Sequence, residues 1–523
     1  MVVDVLIFRR KVNPMFNWPF QKGNKKKKAS SSTTQTPSPK TISELLETLG
    51  QSADFQKQTV VNINSKQPFW ISYIKPLADS KVIQKHILSS LLYSPIETLE
   101  DLKKFVPIDE IVITSKIALA EEKLHEGFVL VQLNKLASEF ALIKAQRTVV
   151  RNVSIPEVEF SVVGPKESFV ESLETNLHLL RRRIPDNRLT VKSLKIGKLS
   201  KTKISIIFIE GIADKENVNT VIQRIKDIEF DQIVDSSFIV QIISDNHHSP
   251  FPQLLDTERP DRAASSLAEG KVVILVDGSP HALIGPSTLV EFFSSFEDYF
   301  LNWYIASFFR LIRLFSVAFS VLITPIYVAT LNYHYEMIPK DLLGTLITSR
   351  REIPLPPILE ALFLELTIEL LREAGARLPT KVGQTIGIVG GIVIGTASVE
   401  AGLTSNVLLI IVALAALASF TTPVYKIGNT IRLIRFPFLL FAELWGMLGI
   451  LFCFCIAMAH LIHLTSLGRP FLAPIFPLRM KDLKDALIRL PFSNQSRRPQ
   501  YLRTHKPVRF SKRKAKQKKD IDE

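Results

Sequence analysis

Three glutamates pose the first chemical question in this sequence. Glu365, Glu369 and Glu373 recur at every fourth position of the apolar stretch ILEALFLELTIELLREAGARLP. On a helix they share one face, where like charges repel, and a carboxylate surrounded by hydrocarbon costs several kcal/mol. The helix, residues 356–374, is therefore expected to lie at a membrane interface or to turn this acidic face to water. Two roles stay open for it: ion pairing with Arg372 and Arg377, or a place beside an ion path.

The remaining reactive side chains do not assemble into a catalytic or metal constellation. His460 and His463 sit three apart in an apolar run but have no carboxylate or thiol pair nearby, so no metal is expected there. His247 and His248 lack a third ligand at useful spacing and read as loop. Cys453 and Cys455 imply neither a disulfide framework nor a zinc centre, and read as small core residues. In LLDTERPDR, Asp256, Glu258 and Asp261 alternate with Arg259 and Arg262. Interleaved charges form a salt-bridged loop more often than an acid and base pair. No Walker loop, dinucleotide fingerprint or nucleophile elbow is present, and GIVGG falls inside an apolar segment. The sequence reads as a protein that is not an enzyme and needs no cofactor.

The elements that must position the glutamates are membrane helices. Residues 382–402 and 405–425 are two apolar segments joined by a short link, each close to the length that spans a hydrocarbon core of roughly 30 Å. The first carries Gly383, Gly387, Gly391 and Gly395 on one helix face. Such a stripe lets another helix backbone approach closely, whereas in a soluble helix each glycine costs about 1 kcal/mol. A buried soluble hairpin is the alternative, and the uncharged run VLLIIVALAALASF argues against it. Residues 307–332 form a further apolar segment, with Trp303, Tyr304, Arg310 and Arg313 where a cytoplasmic interface is expected, and residues 436–464 form the last. The domain so defined spans residues 296–476. With both chain ends expected inside, the crossings must be even in number. Four are counted, which leaves Lys426, Arg432 and Arg435 outside; five would bring them inside and strand the basic tail, residues 477–523.

Composition agrees with this division. The 523 residues carry a net charge of +15 beside a mean hydropathy of +0.18, because apolar residues concentrate after residue 305 and much of the basic excess lies in the two tails. The first residues lack the order of a secretory signal, so the long amino-terminal region is expected to be cytoplasmic, and the sequons at Asn152 and Asn494 carry no meaning. Residues 1–40 include the run KKKK and read as a flexible basic segment, solvated or drawn to anionic lipid.

Residues 41–295 alternate helical and strand periods, which predicts mixed α/β structure. A break near Gly164 divides them into subdomains 41–164 and 165–295. Helices are expected at 79–92, with His86 packed on the buried stripe, at 166–182 and at 217–228. The trio Arg181-Arg182-Arg183 ends the second of these and suits its dipole, so it calls for no nucleic acid. Strands are expected at 126–133, 158–163, 189–196, 204–210 and 237–243. Asp277-Gly278 marks a hairpin within 271–284.

Longer stretches carry a resemblance. FPQLLDTERPDRAASSLAEGKVVILVDGSPHALIGP, EDYF and EAGARLPTKVGQTIGIVGGIVIGTASVEAGL, supported by GPKESFVESLETNLHLLRRRI and IFIEGIAD, resemble the A subunit of the GerA-type nutrient receptors of spore-forming Bacillus-type bacteria. The likeness runs from about residue 42 to 490 and departs at RTVVRNVSIPEVEF, the joint between subdomains. It implies an α/β cytoplasmic region of two subdomains followed by an all-α polytopic membrane domain. It also implies assembly with a permease-like B subunit and a lipoprotein C subunit in the spore inner membrane, with A subunits forming a ring around an ion-conducting centre. In such a ring the glycine face would pack. The opposite face, with Thr385, Ile388, Val389, Ile392, Val393, Thr396 and Val399, would line an apolar constriction. Glu400 and the stripe Glu365, Glu369 and Glu373 would favour cations at a mouth. A transporter with a substrate site near Pro354, or a non-conducting scaffold for the permease-like partner, are the rival readings.

Overall fold

The computed structural model describes residues 41–134, 138–147, 156, 159 and 161–511. The basic amino-terminal segment, most of the joint at 147–160 and the last twelve residues of the tail lie outside them. Helix α1 (Ile42–Gly50) starts where the Thr41 hydroxyl accepts from the Glu44 amide at 3.3 Å, and it buries Ile42, Leu45 and Leu49. The first sheet is antiparallel in the order β1 (Phe55–Val61), β2 (Pro68–Ile74), β4 (Phe128–Gln132), β5 (Phe140–Lys144) and β3 (Ile111–Thr114). Its inner strands β4 and β5 are almost wholly apolar because both faces are covered. On one face lie α1 and α2 (Ile117–His125); on the other lie the helical turns of residues 80–93. Residues Ile83–Leu88 form a π turn. This wider turn keeps Ile83, Ile87 and Leu91 inward and swings His86 into solvent, correcting the expectation that His86 packs.

The second sheet repeats the plan in the order β6 (Leu189–Ile196), β7 (Thr202–Ile209), β9 (Val272–Val276), β10 (Ala282–Gly285) and β8 (Leu255–Thr257), again antiparallel. The expected hairpin is present, with Gly278 at a φ of 88° in its turn. Helix α3 (Leu173–Arg183) begins later than its apolar spacing suggests. Phe169 and Val170 are buried from a loop instead, held by bonds to the Glu258 carbonyl and the Asn176 side chain. Helix α4 (Lys215–Lys226) is where the periodicity puts it. Residues 237–243, expected as a strand, are helix α5 (Ser236–Ile243). Asp235 caps it by accepting from the Ser237 amide at 3.0 Å, and Ile239, Val240 and Ile243 fall on one buried face, so packing overrides the β-branched propensity. Of the expected strand 158–163, Glu159 and residues 161–163 are loop. Helix α6 (Pro260–Glu269) packs with α3 on the opposite face of the sheet from α4 and α5.

A polar joint holds the subdomains together. Arg181, 1% exposed, donates from Nε and Nη2 to Asp54 at 2.8 and 2.7 Å, and Ser52 also accepts from it. Arg181 is thus more than a dipole partner, whereas Arg182 and Arg183 share Glu167 at the surface. Beside it the His178 ring donates to the Pro76 carbonyl at 3.1 Å, and His125 bonds the Asn187 side chain at 2.8 Å. Burial is the largest cause that pushes both imidazoles below the usual value of 6.5. A base with a depressed folded pKa is neutral when folded and takes up its proton on unfolding, so stability rises with pH. The joint should be fully stable above pH 6.5 and weaken as pH falls toward the lowered folded values. Thermal unfolding of the full chain between pH 8 and 5 should show this loss, and His125→Asn with His178→Asn should flatten it.

Helix α7 (Trp303–Tyr333) leaves the second subdomain and opens an up-and-down bundle. Its base is fixed by Arg310 and Arg313 on buried Asp298. The far end carries the exposed helix α8 (Lys340–Arg350). From there α9 (Pro357–Arg377) descends, α10 (Thr380–Glu400) climbs and α11 (Asn406–Ser419) descends. These directions follow from contacts. Glu360 and Ser405 meet at the far end at 3.2 Å, and Arg372 and Ser419 meet nearer the α/β region at 3.4 Å. The glutamate helix therefore runs through the bundle, antiparallel to α7. Helix α11 has 14 residues, about 21 Å of rise. It is shorter than the expected 405–425 because Thr421 and Thr422 turn back onto the Ala418 and Ser419 carbonyls ahead of Pro423.

The last expected span, 436–464, belongs to α12 (Tyr425–His463), which folds back at Gly446, where φ is 59° and ψ is −137°. Phe441 and Phe452 face each other at 5.8 Å, whereas a straight helix would set them about 16 Å apart. The first arm starts and the second finishes at the α/β region. Lys426 pairs with Asp256 at 2.9 Å and His460 bonds Ser249 at 2.8 Å, while Gly446 packs against Tyr333 and His334 at the far end. Beyond α12 the chain returns to the second subdomain. Phe471 and Leu472 enter the cluster formed by Leu177, Leu267 and Phe292, as do Val424, Ile427 and Leu461. Buried Tyr501 donates to Glu291 at 2.6 Å, and burial raises its phenol well above the usual value.

Candidate functional site

The acidic stripe meets a basic one. Arg432 and Arg435, three apart on the first arm of α12, face Glu369 and Glu365 on the antiparallel α9. Glu365 is 1% and Arg435 2% exposed. The pair is joined through Arg435 Nη1, and the other carboxylate oxygen accepts from the Thr324 hydroxyl of α7 at 3.1 Å. One turn on, Glu369 accepts from Arg372 at 2.9 Å and lies 3.5 Å from Arg432. Arg372 stacks over Phe420, 4.5 Å from the ring centre. Glu373 pairs with Arg377 in the open. A further carboxylate, Glu360, is fully buried, 2.9 Å from Arg350, and caps the Ser405 amide.

Pairing with Arg372 and Arg377 is therefore realised, and Glu365 turns inward rather than to water. Arg432 and Arg435 are the residues that sequence reasoning misplaced. Their signal was present, since RLIR puts two cations at helical spacing ahead of an apolar run. The assumption that the final apolar run is one span hid it. The chain folds back at Gly446, so Lys426 and the carboxy-terminal segment both lie at the α/β end.

Helix α10 supplies the second half of the site. A Cβ on Gly383 would lie 2.8 Å from the Gly375 carbonyl, and one on Gly390 would lie 2.7 Å from Leu371. Gly395 faces Leu409, with nothing nearer than 3.8 Å. Gly387 and Gly391, the middle of the stripe, face open space. Ile388 and Ile392 are each 62% exposed. Gly387, Gly391, Val393, Thr396 and Glu400 are exposed and Val399 is half-buried. The side chains of Thr385 and Val389 lie outside the described residues.

The other candidate groups are occupied structurally. Arg259 holds Asp261 from Nε and Nη2 at 3.1 and 2.7 Å, and Arg262 pairs with Glu159. His460 stacks on Phe251, His463 bonds the Ala459 carbonyl, and His247 and His248 are exposed loop. Cys453 is buried and Cys455 exposed. Among the described residues no group of three His, Cys, Asp or Glu side chains gathers as a metal site.

Residues 43–501 match the family described as Bacillus/Clostridium GerA spore germination protein. The chain is 49% identical to spore germination protein GerQA of Bacillus cereus, over 90% of this chain and 94% of that protein. It is 38% identical to spore germination protein A1 of Bacillus subtilis, covering 82% and 88%, and 36% identical to spore germination protein B1 of the same organism, covering 87% and 95%. Among solved structures, the crystal structure of the N-terminal domain of the A subunit of the Bacillus megaterium spore germinant receptor GerK3 is 28% identical. It covers 48% of this chain and 96% of that one, with a TM-score of 0.36.

Proposed function

The chain belongs to the GerA family of Bacillus and Clostridium spore germination proteins, and on that premise we propose that it is the subunit of a germinant receptor that oligomerises into a nutrient-gated cation channel. The observation that carries the reading is the uncovered face of α10. A helix with Gly387 and Gly391 open and Ile388, Ile392 and Val393 exposed has a surface that further copies of itself would cover. Close backbone approach at the glycines, with the apolar residues turned to a central constriction, gives a gate that excludes water when narrow. Thr396 and Val399 continue that lining, and Glu400, at the far end of α10, contributes charge to a mouth. Glu365 and Glu369 are neutralised by arginines, so Glu373, paired only at the surface, is the member of the stripe left to act on passing cations. The setting is the spore inner membrane, with α7, α9, α10, α11 and the two arms of α12 as passes, the α/β region cytoplasmic, and a permease-like B subunit and a lipoprotein C subunit as partners. No nucleic acid is part of the assembly.

Cysteines at Gly387 and Gly391 have room in the chain. In membranes they should crosslink into a ladder of discrete multimers, and reconstituted protein should pass monovalent cations in a way that Val393→Ala alters. Crosslinks to the permease-like partner alone, with no ion flux, would leave a scaffold. Saturable solute uptake would mark a transporter.

A further inference from the structure

Helix α8 (Lys340–Arg350) connects α7 to α9 and has no buried residue. Its apolar side chains are nevertheless gathered on one side. At about 100° per residue, Leu342, Leu343, Leu346 and Ile347 fall within an arc of about 140°, and Leu342, Leu343 and Ile347 are exposed. Asp341, Gly344, Thr345 and Thr348 occupy the other side. This two-faced pattern is that of a helix lying at a boundary between water and hydrocarbon.

Arg350 shows which way the apolar side looks. By the same count it falls between Leu346 and Leu343, in the middle of the arc. Its side chain reaches fully buried Glu360, 2.9 Å away in the first turn of α9, so the arc faces the bundle and not the space beyond it. A protein arriving from beyond the far end would meet Asp341, Thr345 and Thr348. What lies against the flank of a membrane bundle at that level is lipid. The ends of the helix agree. Tyr335, exposed just ahead of α8, is the kind of amphipathic ring that gathers at membrane surfaces. Lys340 borders the arc, with a stem long enough to carry its ammonium back to water.

We propose that α8 lies in the interfacial layer of the bilayer at the end away from the α/β region, with Leu342, Leu343, Leu346 and Ile347 among the upper acyl chains. Its tie to Glu360 then sets the depth at which the start of α9 sits. The inference rests on the membrane setting proposed above, and not on conduction or ring formation.

The test uses the full chain in phosphatidylcholine nanodiscs, with Cys453→Ala and Cys455→Ala to remove the native thiols. Ile347→Cys, Thr348→Cys and Phe315→Cys, made singly, carry the same bimane label. All three positions are exposed, so the substitutions leave the packing intact, and Phe315, well inside α7, reports on the membrane setting alone. Lipid brominated on its acyl chains is expected to quench the label at Ile347→Cys several-fold more than at Thr348→Cys, and aqueous iodide to do the reverse. Equal quenching at the two positions would overturn the proposal. So would shielding of Ile347→Cys from both agents, which would mean that protein and not lipid covers the arc. Quenching by brominated lipid at Phe315→Cys and not at Ile347→Cys would remove the place of α8 and leave the bundle in the bilayer; none at either would remove the membrane setting with it.

Discussion

Arg435→Ala is expected to destabilise the folded chain by about 3–5 kcal/mol, because it leaves Glu365 ionised and buried without its counter-charge. Thr324 donates one hydrogen bond to that carboxylate and cannot neutralise it. The expected signature is non-additivity. Glu365→Leu alone should also be severe, since it strands Arg435, while the double variant Glu365→Leu with Arg435→Leu should regain most of the loss by replacing two desolvated charges with apolar volume. Thermal unfolding of the three variants in detergent reads this directly. If the two single losses simply add in the double variant, the pair is not coupled as its geometry requires. Glu373→Ala with Arg377→Ala is the contrast. That pair is exposed, and surface pairs contribute about 0–1 kcal/mol.

The second large effect is expected at Gly446. Its φ of 59° and ψ of −137° lie where residues with a Cβ are strained, and a Cβ there would sit 3.0 Å from the Tyr333 ring and 3.1 Å from His334. Gly446→Ala should cost about 2–4 kcal/mol once strain and crowding combine. The backbone has an alternative, because all 39 residues of α12 would make a straight helix of about 58 Å, far longer than a bilayer core. The variant should therefore lose folded yield and Tm together, and the carboxy-terminal segment, no longer packed on the second subdomain, should become more accessible to protease. Gly344→Ala, in open space on α8, is the control that should leave both unchanged.

These two positions also mark how far the sequence alone leads. Apolar runs and turn chemistry locate β6, β7, β9 and β10, whose sheet is covered on both faces, apolar length locates α7, and the helical period locates α4, which has one face against a core and one against solvent. Residues 237–243 mislead because a short run rich in isoleucine and valine has no period of its own, and the Asp235 cap decides. The glutamate stripe is visible as a pattern, but its meaning depends on Arg432 and Arg435, more than sixty residues away in sequence, and on the single glycine that turns α12 back. An apolar run carries no mark of where it reverses. The open face of α10 is legible as glycine spacing. Which glycines are covered within the chain, Gly383 and Gly390 rather than Gly387 and Gly391, follows only from where α9 lies.

The second subdomain shares its core with Val424, Leu461, Phe471 and Leu472, so the order of synthesis matters to it. A ribosome releases β6 through β10 long before these residues exist, and α7 to α12 must all be made before they arrive. Until then the sheet face that takes Phe471 and Leu472 is an unfilled apolar surface, exposed to chaperones and to other nascent chains. Completion of that core thus reports that α12 has folded back and returned the chain to the second subdomain. A chain whose α12 fails to fold back would hold Phe471 and Leu472 away from that face and remain recognisable as unfinished.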